Sequence, residues 1–194
     1  MMLDKKTDFL SLTDEELAGL TLKNPHAYTE IIRRYESRLL GYVRRISSVS
    51  VEDAEDILQE AFLDAYKNIT RFDTSLKFSS WIYRIVHNKT ISSYRKFKKQ
   101  QNDVSLDDDL NYYHHFVAKM DIVADIDKKI TSQEIHKLLN KLNERDREVL
   151  LLYFIEEKTY QEIGDILQAP VNTVATWIRR AKERFKKIVL NNKK

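Results

Sequence analysis

The sequence predicts an all-α protein of two small helical domains joined by an acidic linker. Three observations predict it. Turn-forming residues are scarce: in 194 residues glycine stands only at 19, 41 and 164, and proline only at 25 and 170. Strands need turns, and turns lean on these two residues. Apolar residues recur at helical spacing, as in Ile31, Ile32, Tyr35, Leu39, Tyr42, Val43 and Ile46. Helix-start signals also recur. Thr13 is followed by Glu16, and Thr159 by Glu162, the capping-box pattern. Asn24–Pro25 supplies a cap and a first-position proline.

In chain order, "LTDEEL" opens a short helix, and a second starts at Pro25. "SVSVEDAED" restarts the pattern for a third helix that runs to about Lys67. Residues 68–80, "NITRFDTSLKFSS", break the periodicity and read as an ordered loop. A fourth helix spans about Ser80 to Phe97. Residues 98–131 are polar and acidic, with a short helix in "YYHHFVAKM", and read as a linker. A second helical group occupies 132–141, 144–156, 159–167 and about 171–191. The domain boundaries are therefore 1–97, 98–131 and 132–194.

The net charge is only +3, so the distribution of charge carries the information. Arg95, Lys96, Lys98 and Lys99 form one basic block; Arg179, Arg180, Lys182, Arg184, Lys186 and Lys187 form another. Acidic residues crowd the segment between them, as Asp107, Asp108 and Asp109 show. Two basic surfaces predict two contacts with a polyanion. There is no cysteine, so disulfides and thiolate metal sites are excluded. No Gly-rich phosphate loop, HExxH motif or cysteine nucleophile is present. No enzyme activity, cofactor or metal is expected, and His114–His115 read as solvent-exposed linker histidines. No apolar run suits a signal peptide or a membrane span. A cytoplasmic protein without membrane insertion is the expectation.

At about 100° per residue, Val174, Ile178, Ala181, Phe185 and Ile188 share one face of the last helix. Asn172, Thr176, Arg179 and Glu183 lie opposite, with Thr173, Arg180 and Lys187 on one flank. The preceding helix, "TYQEIGDIL", is separated from it by a few residues and by Pro170, which forces a stop and restart. This is a helix-turn-helix layout. Its second helix offers short polar groups first and arginines one to two turns later, groups suited to base edges and phosphates in a major groove. Trp177 stands at the edge of the apolar stripe, placed either to pack inward or to meet a thymine methyl.

In the third helix Ile57, Leu58, Ala61, Phe62 and Ala65 face inward. Asp56, Gln59, Glu60, Leu63 and Lys67 face outward, and an apolar Leu63 among polar groups suits a protein-binding patch. The fourth helix interleaves Trp81 with Arg84, His87, Asn88, Lys89, Arg95 and Lys96, and Arg71, Phe72 and Phe78 lie just before or at its start. Aromatics that stack on unpaired bases, beside cations that follow a backbone, suit single-stranded DNA.

Taken together, "AEDILQEAFLDAY" (54–66), "FDTSLKFSSWIYRIVHNKTISSYRK" (72–96), "LNERDREVLLLYFIEEKTYQEIGDIL" (142–167) and "PVNTVATWIRRAKERF" (170–185) resemble bacterial sigma factors of the extracytoplasmic-function group. The resemblance spans nearly the whole chain. It implies a region 2 helical domain that binds core RNA polymerase and recognises and melts the −10 element, and a region 4 helix-turn-helix domain that recognises the −35 element. Asp56, Gln59, Glu60 and Leu63 would grip the clamp helices of the polymerase's largest subunit. Loop 68–78 would receive a flipped −10 base, with Arg71, Phe72, Phe78, Trp81, Arg84, Asn88, Lys89, Arg95 and Lys96 serving single-stranded −10 DNA and melting. Asn172, Thr173, Thr176, Arg179, Arg180 and Lys182 would contact duplex −35 DNA. The linker would thread toward the polymerase active site, and an anti-sigma factor is implied as inhibitor. The chain departs from the family where Gln168 and Asn172 replace common glycines, and where Ala175 and Trp177 replace common basic residues. These changes predict a slightly different turn and a different −35 sequence. A dimeric helix-turn-helix regulator is the competing reading. It calls for a dimerisation or ligand-sensing domain where residues 1–97 instead carry the basic-aromatic helix and the outward Asp-Gln-Glu patch.

Overall fold

The computed structural model describes residues 9–47, 49–74, 76–97 and 132–192, the side chains of 94–97 and 132 excepted. The linker 98–131, including its expected short helix, lies outside the described residues. A 3-10 turn, Phe9–Ser11, precedes α1 (Asp14–Thr21), α2 (His26–Ser47) and α3 (Val51–Asn68). A second 3-10 turn, Ile69–Arg71, leads to α4 (Phe78–Phe97). Beyond the linker come α5 (Ser132–Leu139), α6 (Glu144–Leu150), a π-helical turn (Leu151–Ile155), α7 (Tyr160–Leu167) and α8 (Val171–Asn191). Every described element is helical.

Both capping boxes form. The Thr13 N–H donates to Glu16 Oε2 at 2.7 Å, and the Thr159 N–H donates to Glu162 Oε2 at 2.9 Å. Asn24 accepts from the His26 N–H at 3.1 Å, as a cap ahead of Pro25 should. The first group of helices is stapled by Arg34 of α2, whose guanidinium donates to Phe9 O at 2.8 Å, Leu12 O at 2.9 Å and Asp14 Oδ1 at 2.8 Å. Arg33 and Arg34 flank Glu30, and their hydrogen bonds hold its carboxyl down at about 2.

Two boundaries differ from the sequence reading. Helix α4 begins at Phe78 because the Phe78 N–H donates to Glu15 Oε1 of α1 at 2.8 Å. A long-range carboxylate thus satisfies one of the orphan donors of the first turn. The helix expected over 144–156 changes register after Leu150, where the π turn ends with the Glu156 N–H donating to Leu151 O at 3.0 Å. The extra residue in that turn accompanies an inward-facing Glu156, which is 3% exposed.

The two helical groups pack on each other, chiefly α4 against α7 and less extensively α2 against α6. Buried polar pairs cross this seam. Arg45 Nη2 of α2 donates to Glu156 Oε1 at 2.6 Å, and the Tyr83 hydroxyl of α4 donates to Glu156 Oε2 at 2.5 Å. Arg147 Nη2 donates to Ile46 O at 3.1 Å, and His87 Nδ1 stands 2.6 Å from Glu148 Oε1, a hydrogen bond when Nδ1 carries the proton. The Lys158 ammonium lies 4.2 Å from the centre of the Tyr83 ring. Burial raises the Tyr83 hydroxyl's pKa, as does the neighbouring Glu156 carboxylate, while burial lowers that of Lys158.

The α7–α8 turn keeps left-handed geometry without glycine. Gln168 has φ 54° and ψ 49° and closes α7 with its N–H on Gly164 O. A side chain in this region costs about 1–2 kcal/mol. Gln168→Gly is expected to stabilise the protein by roughly 0.5–1 kcal/mol, after allowing for glycine's larger unfolded-state entropy. Thermal denaturation checks this; a lower midpoint would show that Gln168 contributes contacts that outweigh the strain.

Candidate nucleic-acid interface

Helices α3 and α4 enclose a trough of about 680 Å³. Its lining includes Arg71, Trp81, Arg84, Asn88 and Lys89, so five expected −10 residues come together. Trp81 is half-buried and rests on Phe72 and Phe78, with ring centroids 5.3 and 5.4 Å away. Phe72 and Phe78 themselves are core residues, 8% and 0% exposed. Phe78 also packs edge-on against Tyr35 at 5.8 Å. The expectation that these two rings stack on bases is corrected: they form the floor that holds Trp81, and Trp81 is the ring left at the surface. The side chains of Arg95 and Lys96 lie outside those described.

Asp64 and Asn68 of α3 also line the trough, and the sequence reading missed them. Asp64 stands one helical step beyond Glu60, and Asn68 one step beyond Asp64, so the spacing alone could have found them. Lys89 Nζ lies 2.7 Å from Asp64 Oδ2 and 3.3 Å from Glu60 Oε2. One ion-pair cluster therefore joins the trough to the outward face of α3. On that face Asp56, Gln59, Glu60 and Leu63 are all exposed, Leu63 at 57%, while Ile57, Leu58, Ala61, Phe62 and Ala65 are buried beneath them.

On α8 the apolar stripe Val174, Ile178, Ala181 and Phe185 is buried, and Ile188 is half-buried. The opposite side is open. Asn172, Arg179 and Arg180 are exposed, and Thr173 and Thr176 are half-buried. The Thr176 hydroxyl donates to Asn172 O at 2.9 Å, and Arg179 pairs with Glu183 at 2.8 Å. Lys182 sits on the other flank from Arg180, its ammonium 5.6 Å from the Phe154 ring. Trp177 is half-buried against the core edge, with the Arg145 guanidinium carbon 4.3 Å from its ring centroid. The open side of α8 is thus a polar and cationic ridge, while the trough is a cationic groove with Trp81 as the aromatic among its described lining residues.

Among the described residues no group of three or more His, Cys, Asp or Glu could hold a metal ion, and His114–His115 lie outside them. No helix among the described residues is long and apolar enough to cross a membrane.

The trough and the helix-turn-helix lie in two segments that each match a sigma-70 family, the class of transcription factor to which the chain belongs. The family description "Sigma-70 region 2" matches residues 31–100, and "Sigma-70, region 4" matches residues 132–185. The ECF RNA polymerase sigma factor SigW of Bacillus subtilis is 38% identical over 168 residues, covering 83% of this chain and 88% of that protein. Two solved structures share the fold. One is CnrH in complex with the cytosolic domain of CnrY, with a TM-score of 0.67 at 22% identity, covering 91% of this chain and 96% of that one. The other is the sigma factor RpoE in complex with the anti-sigma factor NepR from Bartonella quintana, with a TM-score of 0.60 at 17% identity, covering 84% and 96%. The chain belongs to the extracytoplasmic-function (ECF) sigma factors of RNA polymerase. Its function is to direct promoter-specific transcription by that polymerase.

Proposed function

We propose that residues 1–97 bind core polymerase and take the −10 strand, that residues 132–194 read the −35 duplex, and that 98–131 link them through the polymerase. The observation that carries this division is the trough. It gathers Trp81, Arg84 and Asn88 of α4 with Asp64 and Asn68 of α3, the helix whose outward face carries the exposed Asp56, Gln59 and Glu60. Trp81 would stack on an unpaired base, while Arg71, Arg84 and Lys89 follow the backbone. Opening DNA costs about 1.4 kcal/mol per base-pair step. Each stacked base returns about 1–3 kcal/mol, so few captured bases offset a short bubble. Asn172, Thr173, Thr176, Arg179 and Arg180 would contact the upstream duplex from α8. Two weak DNA contacts gain effective concentration through the shared polymerase.

The chain itself performs no catalysis in this scheme; the polymerase supplies the chemistry, in the cytoplasm. The neighbour crystallised with NepR is held by an anti-sigma factor, and the same kind of inhibitor fits this chain. The deciding experiment is run-off transcription of genomic fragments by core polymerase with and without the protein. Initiation at discrete sites is expected only with it, and no initiation would sink the assignment.

The α3 face has its own test. Asp56→Lys combined with Glu60→Lys should weaken core-polymerase binding at least about tenfold by placing like charges against a basic partner. Circular dichroism should be unchanged, because both residues are exposed. Unchanged affinity would remove this face from the polymerase contact.

A further inference from the structure

We propose that Arg145 of α6 is a phosphate contact of the upstream duplex, and that Trp177 of α8 is the positioning residue that holds it there and not a reader of bases. The inference rests on the assignment of α8 to duplex reading and adds to it a residue from a different helix.

The first turn of α6 is pinned to its surroundings on two sides. Asp146 is buried and pairs with Arg184 of α8 at 2.5 Å. Arg147 turns the other way and donates to Asn140 Oδ1 at 2.9 Å and to Ile46 O. Arg145, between them, is exposed and makes no ion pair among the described residues. Its guanidinium instead lies over the indole of Trp177, 4.3 Å from the centroid. A guanidinium held over an aromatic ring, with no carboxylate partner, keeps N–H donors available to an anion. Such donors can make a two-pronged contact with phosphate.

The place is the right one. On the helical wheel of α8, Thr173, Trp177, Arg180 and Arg184 share one flank. Arg184 is committed to Asp146, and Arg179, nearer the centre of the exposed side, is paired with Glu183. Arg145, Arg180 and Lys187 are then cations on that side with no carboxylate partner among the described residues, and of these Arg145 is the one delivered by a different helix. A helix lying in a major groove presents such a flank to one phosphate strand. Trp177, meanwhile, is half-buried, packs on the core, and has the face under the guanidinium committed to Arg145, which suits a support for that cation better than a reader of bases.

The test uses holoenzyme reconstituted with the wild-type or variant chain. Equilibrium binding is measured across a salt series to a mixed-sequence duplex and to a promoter duplex recovered from the run-off assay. Arg145→Ala should weaken binding to both duplexes by about threefold to tenfold and reduce the slope of log K against log salt by about 0.9. Preference among single-base −35 variants should stay unchanged, because phosphate contacts carry no base information. Arg145→Lys should keep most of the slope. Trp177→Leu should lose as much affinity as Arg145→Ala, with no further loss in the double variant, whereas Trp177→Phe should retain most of it. An unchanged salt slope in Arg145→Ala, or fully additive losses in the double variant, would overturn the proposal. Failure of the wild-type holoenzyme to distinguish the two duplexes would instead overturn the −35 reading of α8, while the slope still reports on Arg145.

Discussion

Arg45→Ala is expected to part the two helical groups while leaving each folded. The substitution removes the ion-pair partner of the Glu156 carboxylate, 3% exposed, and leaves it the Tyr83 hydroxyl and the more distant Lys158 ammonium. Removing one partner of a buried ion pair costs roughly 3–5 kcal/mol, because the remaining charge is stranded. Hydrating Glu156 relieves that cost, and opening the seam does so without dismantling either helical group. The closed arrangement should therefore be disfavoured by about a hundredfold to a few thousandfold. Small-angle scattering should show a larger radius, and circular dichroism the same helix content. Calorimetry should resolve two transitions in place of one. An unchanged radius with a single transition would mean that the apolar contacts of α4 and α7 hold the seam unaided.

Gly41 gives the same idea a sign that can be read. A methyl at Gly41 would stand 2.9 Å from Arg45 Nη1 and 3.0 Å from Nη2. In a helix interior, glycine-to-alanine normally stabilises by about 0.8–1.0 kcal/mol. At this position the methyl occupies the space of a guanidinium held by Glu156. If the pair holds the seam, Gly41→Ala loses the expected gain and opens the molecule in the direction of Arg45→Ala.

Local and non-local features divide what was legible in the sequence. The capping boxes at Thr13 and Thr159 involve residues three apart, so spacing alone revealed them and the helix starts they mark. The apolar stripes of α3 and α8 were legible for the same reason: helical periodicity fixes which side is buried before any partner is known. The start of α4 was not, because the group that satisfies Phe78 N–H is Glu15, 63 residues away. Phe72 and Phe78 look like base-stacking rings beside cations in the sequence. Only the packing of Tyr35 and Trp81 around them shows that they are the floor under the one surface ring. Residue type marks a nucleic-acid surface, but the tertiary contact decides which aromatic reaches it. Arg145 escaped because a search along α8 alone cannot find a cation delivered from α6. The Arg45–Glu156 pair joins residues 111 apart, and no helical period relates them.

The turn between α7 and α8 carries the second large effect. A Cβ on Gly164 would lie 2.7 Å from the Ala169 carbonyl oxygen, a backbone atom with no side-chain freedom to yield. The same glycine's own carbonyl accepts the Ala169 N–H at 2.9 Å, so the turn closes back onto α7 at this point. Pro170 and the start of α8 follow at once. Gly164→Ala gains helix propensity but must push Ala169 outward, and overpacking of this kind costs roughly 1–3 kcal/mol. The displacement moves Asn172 and Thr173 relative to α7, while the trough on α4 is built by other elements. Holoenzyme carrying the variant should therefore lose discrimination of the −35 sequence and keep its affinity for a premelted −10 template. An equal loss on both templates would mean that the damage spreads from α7 into α4 across the seam, and that the two halves cannot be perturbed separately.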